Sequence, residues 1–359
     1  MKRLLQNLAA GSIVLAIVLT AGSAWAGYKM EIDENRWISL GVGVRSHGGI
    51  NENARTISSI DQDWGTNFDI AVRPYISGSV HENIKFEANL DTGGGGVALL
   101  DGIVKFEFSD LLNVWGGRML PPTDRSNFSG PYFLNTWDFP GVAHRYPAIY
   151  AGRDTGAVAF GQLNGGQFKY QVGLFQGNAG ANNPQVNARV VLNLLDPEPG
   201  YYNSSTYFGT KDILALGATL QHQKNGSTAG DDFTGWNVDL LFEKSFGDMG
   251  AAMVDAAYYG YDNDGSTAGT RADGDSFFVT AGWYLPGEYG CAGLKGQVQP
   301  HARYQEFNND DGADTSRWDV GINWYILQQN AKFVLTYSTA DDGVGGDAEG
   351  INLGFQLQF

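Results

Sequence analysis

The sequence predicts an all-β protein, a transmembrane antiparallel β-barrel of about 16 strands. Three observations carry that prediction. Apolar and polar residues alternate over many stretches of about ten residues. The links between those stretches are by turns short and long. No stretch beyond residue 26 offers a long helical period. Composition agrees: 50 Gly and 13% aromatic residues against only 17% charged ones suit a β protein better than a helical one.

The first 26 residues read differently from the rest. Lys2 and Arg3 precede an uncharged apolar run that ends at Ala24-Trp25-Ala26, the pattern of a cleaved secretory signal peptide. The run is short for a spanning helix of about 20 residues. Residues 27–359 are then expected to form a single barrel domain. Removing Lys2 and Arg3 takes the formal charge from -16 to -18, which disfavours nucleic acid as a partner. Cys291 is the only cysteine, so an internal disulfide, a Cys-based zinc site and C-x-x-C-H haem attachment are excluded.

Strands are expected near 37–46, 67–80, 84–91, 97–108, 112–119, 154–163, 167–177, 185–194, 212–223, 234–245, 249–261, 275–285, 294–307, 316–327, 332–339 and 350–359. In "RWDVGINWYIL", for example, Trp318, Val320, Ile322, Trp324 and Ile326 share one face. Short links ("HEN", "SDL", "NGG", "FGD", "QQNA") take turns with longer polar ones such as "KNGSTAGDDF" and "DNDGSTAGTRADG". With the N-terminus in the periplasm, the short links fall on that side, as outer-membrane barrels require. Two links break the pattern: 195–211 is long for a periplasmic turn, and "TGGGG" is short for an outer loop. About ten tilted residues per strand span the apolar band of the outer membrane, and closure pairs every backbone group. Trp37, Trp115, Trp236, Trp283, Trp318, Tyr284 and Phe359 are expected in aromatic girdles near strand ends.

The final stretch, "GINLGFQLQF", puts Ile351, Leu353, Phe355, Leu357 and Phe359 in phase. It resembles the C-terminal signal by which the barrel assembly machinery recognises Gram-negative outer-membrane proteins, a resemblance carried by Phe355, Leu357 and Phe359. The longest connection, 120–153, follows the fifth strand and is the third outer loop. A connection of that length in a compact domain is normally functional. This layout resembles the sixteen-stranded porins, whose third loop folds into the lumen and narrows it. "NVWGGRMLPPTDRSNFSGPYF" and "LDPEPGYYNSSTYFGTKDILALGATLQHQ" resemble the phosphate-selective porin family and its relatives more loosely, and the third loop holds no matching Arg-rich repeat. The resemblance implies a channel for passive diffusion of small hydrophilic solutes or ions, set in outer-membrane lipid as a homotrimer, with no cofactor.

The faces expected inward carry both charges in similar number, with Arg303, Arg317 and Lys332 among the bases and Glu87, Asp239 and Asp319 among the acids. Selectivity then follows from where rings of charge sit. The candidate constriction comprises Arg118, Asp124, Arg125, Asp138, His144 and Arg145 of the loop region, facing Arg45 and Arg73 on the wall. Much of the net negative charge is expected in outer loops, at Asp262, Asp264, Asp310, Asp311, Asp341, Asp342 and Asp347. The histidines are scattered, and H-E-x-x-H, G-x-S-x-G and a full calcium loop are all missing, so no enzyme or metal site is expected. The alternative is a barrel that sheathes a multihaem cytochrome, which needs a lumen free of an inward-folded loop.

Overall fold

The computed structural model describes residues 27–52, 64–177, 181–227, 230–263, 273–291, 293–310, 312–341, 343 and 347–359. The expected signal peptide and Asp264, Asp311 and Asp342 lie outside the described residues. Strands run in chain order as Tyr28–Glu31 (β1), Trp37–Glu52 (β2), Trp64–His81 (β3), Ile84–Asp91 (β4), Ala98–Glu107 (β5), Asn113–Met119 (β6), Asp154–Leu163 (β7), Phe168–Phe175 (β8) and Gln185–Asn193 (β9). They continue as Ile213–Gln223 (β10), Phe233–Ser245 (β11), Ala251–Asp262 (β12), Gly274–Tyr284 (β13), Tyr289–Cys291 (β14), Leu294–Asn309 (β15), Thr315–Leu327 (β16), Ala331–Asp341 (β17) and Asp347–Gln358 (β18). A single-turn helix, α1, spans Arg125–Ser129.

Sixteen of these strands form a closed antiparallel barrel. Each pairs with its neighbour in sequence, β13 pairs directly with β15, and β18 closes the ring on β2 from Gly350↔Asn51 to Gln358↔Gly43. β1 and β14 are short additions along β2 and β15 that the alternation did not announce. Closure extends past β18: Phe359 N–H donates to Val42 O at 2.8 Å, and Val42 N–H returns to Phe359 O at 2.7 Å.

Period-two alternation shows directly as burial. Along β10, Ile213, Ala215, Gly217, Thr219, Gln221 and Gln223 are buried, while Leu216, Ala218, Leu220 and His222 are exposed. The exposed face of β18 carries Ile351, Leu353 and Leu357, and its buried face carries Gly354 and Gln356. An apolar exterior over a polar interior is the arrangement that hydrocarbon outside and water inside select.

Three expectations need correction. β2 and β3 reach Glu52 and Trp64, beyond the expected limits at 46 and 67. Gly48 and Gly49, which read as loop residues, are paired strand: a β-carbon at Gly48 would collide with the Phe68 ring across the hairpin. Trp115 and Tyr284 do not join an outer girdle; they point inward, 5% and 0% exposed, whereas Trp236, Trp283 and Trp318 do face outward. The long link 195–211 does not project as a turn but packs against the inner wall.

The inward face is not uniformly polar. Ile103, Trp115, Met119, Val158, Phe160 and Phe175 make an apolar patch on β5–β8, covered by Leu120, Phe128 and Tyr201. Phe233, Ala257, Tyr259, Tyr261, Phe278 and Phe307 make a second, covered by Ala143 and Tyr146. Ile213, Ala215, Leu241, Ala251, Met253, Tyr284 and Tyr325 make a third, against which Tyr207 and Phe208 pack. Burying a large apolar side chain stabilises by about 1.5–3 kcal/mol, so these patches hold down the chain segments that cover them.

Candidate functional site

Two connections supply the covering residues: 120–153, between β6 and β7, and 194–212, between β9 and β10. The first begins at α1. Asp124 caps the helix, accepting from Asn127 N, and also accepts from the Ser126 hydroxyl and from Tyr259 Oη at 2.9 Å. His144 Nε2, from the same connection, lies 3.0 Å from Asp124 Oδ1. Asp124 is wholly buried. Burial opposes its charge, but His144, Ser126 and Tyr259 more than offset it and hold the carboxyl below the usual carboxylate range. Arg125 turns the other way into a forked pair with Glu198, Nη1 to Oε1 at 2.8 Å and Nη2 to Oε2, and gives Nη1–H to Ser204 O at 2.9 Å. Both side chains are 1% exposed.

Beyond the helix the connection crosses to the opposite wall through backbone carbonyls. Tyr132 O accepts from Gln356 Nε2 at 3.0 Å, Leu134 O from Lys332 Nζ at 3.0 Å and Asn135 O from Asn323 Nδ2 at 2.6 Å. Arg303 donates to Thr136 Oγ1 and to Asp138 O. Trp137 is wedged beside Gly354, with the Arg45 guanidinium 4.0 Å from its ring centroid and the His47 ring edge-on at 5.8 Å. Arg45 Nη2 also donates to Trp137 O at 2.5 Å. The chain then returns: Gln305 Oε1 accepts from Val142 N, Ser276 Oγ donates to Ala143 O, and Tyr146 Oη donates to Asn237 Oδ1.

The structure therefore separates the expected constriction residues. Arg45 and Arg73 share Tyr132, whose ring lies 5.8 and 5.6 Å from their guanidinium carbons, and Arg73 pairs with Asp91 at 2.8 Å. Asp124 and Arg125 are sealed away from solvent. His144 is bound to Asp124, and Arg145 stacks over Phe307 at 4.9 Å while its N–H donates to Tyr261 Oη. Arg118 sits half-buried near the end of β6. Only Asp138 among the loop acids is open to solvent, its side chain 55% exposed and 3.7 Å from Arg317 Nη2. It borders a small recess lined also by Trp137, Arg303, Arg317, Asp319 and Thr336.

Several participants escaped sequence reasoning, among them Tyr132, Trp137 and Glu198. One signal was available. Val158 and Phe160 share a strand face with Asp154 and Gln162, and an inward apolar residue needs a cover. Many of the wall's charges are paired. Arg73–Asp91, Lys105–Glu87, Arg153–Asp101, Arg189–Asp239 and Arg303–Asp319 each join a base to an acid. Among the described residues no group of three or more His, Cys, Asp or Glu side chains could hold a metal ion.

A closed sixteen-stranded barrel with such a wall has counterparts among solved structures. OprB of Pseudomonas putida superposes with a TM-score of 0.61 at 10% identity, over 90% of this chain and 94% of its own. An anion-selective porin from Comamonas acidovorans gives 0.60 at 14% identity, over 90% and 100%. The chain has the porin fold. A third porin-fold match, OmpT of Vibrio cholerae solved in a trimer form, gives 0.57 at 13% identity, over 91% of this chain and 100% of that one. Residues 248–359 match the family model for phosphate-selective porins O and P, a stretch that runs from the turn before β12 to the end of β18. No curated protein matches the sequence significantly.

Proposed function

We propose that this chain is an outer-membrane porin, a passive channel for small hydrophilic solutes or ions that works as a homotrimer and carries out no chemistry. One observation supports the reading most directly: a closed barrel with an apolar exterior encloses an interior of cross-strand ion pairs. Closure satisfies every strand edge, which a membrane-spanning sheet requires. The phosphate-selective porin match over the C-terminal region and the trimeric OmpT likeness support the channel and the trimer.

In this reading residues 120–153 lie across the lumen and set its bore, with Asp138 as the solvent-facing charge of the constriction and Arg45 and Arg73 on the wall behind Tyr132. Paired wall charges attract neither ion strongly, so selectivity rests on the few open groups. The cytochrome-sheath alternative needs a lumen free of its own chain, whereas Tyr132, Trp137, Tyr146 and Tyr201 occupy the inner face here.

The test is single-channel recording of the purified protein in a planar bilayer under a salt gradient. Stepwise conductance is the expected result. Absence of any conductance from correctly folded protein overturns the proposal, and haem absorbance in the native complex supports the sheath instead.

A further inference from the structure

The link 194–212 is as thoroughly built into the barrel interior as the 120–153 connection, and it comes from the opposite end, the end that carries β1 and Phe359. Its own backbone is fixed by wall side chains. Gln171 Nε2 donates to Tyr201 O at 2.9 Å and Lys169 Nζ to Tyr202 O at 3.3 Å. Glu243 of β11 accepts from Tyr207 N and Gly209 N and from the Thr206 hydroxyl. Between those two amides Phe208 is held at φ 59, a left-handed conformation unusual for a bulky residue, with its ring against Tyr284 and Tyr325. Such a backbone persists only where its surroundings over-determine it.

What this link grips is the other connection. Glu198 forks onto Arg125, and its Oε1 also accepts from Tyr207 Oη at 2.6 Å. Tyr201 Oη donates to Leu120 O at 2.8 Å, Asn203 Nδ2 donates to Arg125 O at 3.1 Å, and the Ser205 and Ser129 hydroxyls meet at 2.9 Å. Asn135 Nδ2 bonds Ser205 O, and Ser205 N–H donates to Phe133 O at 3.3 Å. The contacts cover the connection from its first residue past the helix to Asn135, where its carbonyls already meet the far wall.

We propose that residues 194–212 are a second insert that clamps the constriction loop from the opposite mouth, with Glu198 as the positioning residue and Glu243 as its anchor on the wall. The passage is thus set by two segments, and its bore depends on a contact far from the solvent-facing charge. This rests on the porin reading above. Arg125 and Glu198 are removed from water on both sides, so loss of one partner leaves the other charge buried and unpaired, and the loop must shift to hydrate it.

The experiment compares parent and Glu198→Gln trimers in planar bilayers, after checking that both run as folded, heat-modifiable barrels. Glu198→Gln is expected to raise single-channel conductance about twofold and to add open-channel noise, because a loosened loop widens the narrowest section. A second variant adds Ser129→Cys and Ser205→Cys, with Cys291→Ser to prevent mispairing. The adjacent hydroxyls put the two sulfurs within reach of a bond of about 2.05 Å. Oxidised, this variant should return to the parent conductance, and reductant added to the same channel should bring the higher level back. Equal conductance in parent and Glu198→Gln overturns the clamp while leaving the porin reading intact, as does a raised conductance that the disulfide fails to reverse.

Discussion

The indole of Trp137 occupies the space where Gly354 lacks a side chain, so the 120–153 connection keys into a notch in the closing strand. The Arg45 guanidinium covers the same ring at 4.0 Å. Gly354 has an ordinary strand role otherwise, paired with Val334 on one side and His47 on the other. Gly354→Val therefore fills the notch without disturbing either ladder, and the crowding costs about 1–3 kcal/mol unless the indole leaves. Displacement of Trp137 is the expected outcome, read as greater quenching of tryptophan fluorescence by a water-soluble quencher and as altered conductance. The double variant Gly354→Val with Trp137→Ala should relieve the crowding and recover barrel stability.

Asp138 offers a cleaner electrostatic test, because its side chain is open and its nearest base is 3.7 Å away. Its backbone carbonyl, not its carboxylate, accepts from Arg303 on the wall and from Thr136 within the loop. Asp138→Asn should leave stability within about 0.5 kcal/mol of the parent, as for other exposed substitutions. The reversal potential under a salt gradient should move toward anion preference, since Arg317 is left without that facing charge. An unchanged reversal potential places the selectivity-determining section elsewhere.

How much of this was legible in the sequence follows from which forces leave a periodic mark. Hydrocarbon outside and polar groups inside impose period two on every strand, so Leu216, Ala218 and Leu220 announced their face and the sixteen barrel strands were legible within a few residues. Longer strands at β2 and β3 were hidden because glycines that read as a loop, Gly48 and Gly49, are there to make room for Phe68 and Asn352. The clamp was hidden for another reason. Arg125 and Glu198 lie 73 residues apart in two separate connections, and no periodicity links them. Link 195–211 did stand out by length, but length alone does not say which way a segment folds.

The end of β18 makes a separable prediction about assembly. Phe359 exchanges two backbone hydrogen bonds with Val42, while its ring stays 47% exposed on the outer surface with the apolar residues of β18. Phe359→Ala retains the backbone bonds and loses only the ring; deletion of Phe359 loses both. If Phe355, Leu357 and Phe359 serve as an assembly signal, the two variants should lower barrel levels alike, measured as the heat-modifiable band in outer-membrane fractions. If closure of the ring is what matters, only the deletion should do so. Normal levels in both variants count against either role.

Asp124 ties the loop's acid response to a definite direction. Burial works against its charge, and His144, Ser126 and Tyr259 outweigh that, so the folded carboxyl titrates below the usual range. Glu198 has the same sign: burial opposes its charge, and the Arg125 guanidinium more than compensates. A carboxyl depressed by folding contributes stability that is fully present above its unfolded pKa, about 4, and is lost as pH falls through the folded value. Conductance should therefore hold steady from about pH 7 down to about pH 5 and rise only below about pH 4, as these two groups take up protons and the loop lets go. Asp124→Asn removes the charge at every pH and weakens bonds to His144, Ser126 and Tyr259, a loss of about 1–3 kcal/mol. That variant should show the loosened, higher-conductance behaviour already at pH 7, and its acid-induced rise should be correspondingly smaller. A parent channel that opens with a midpoint near pH 6 would assign the response to a different group.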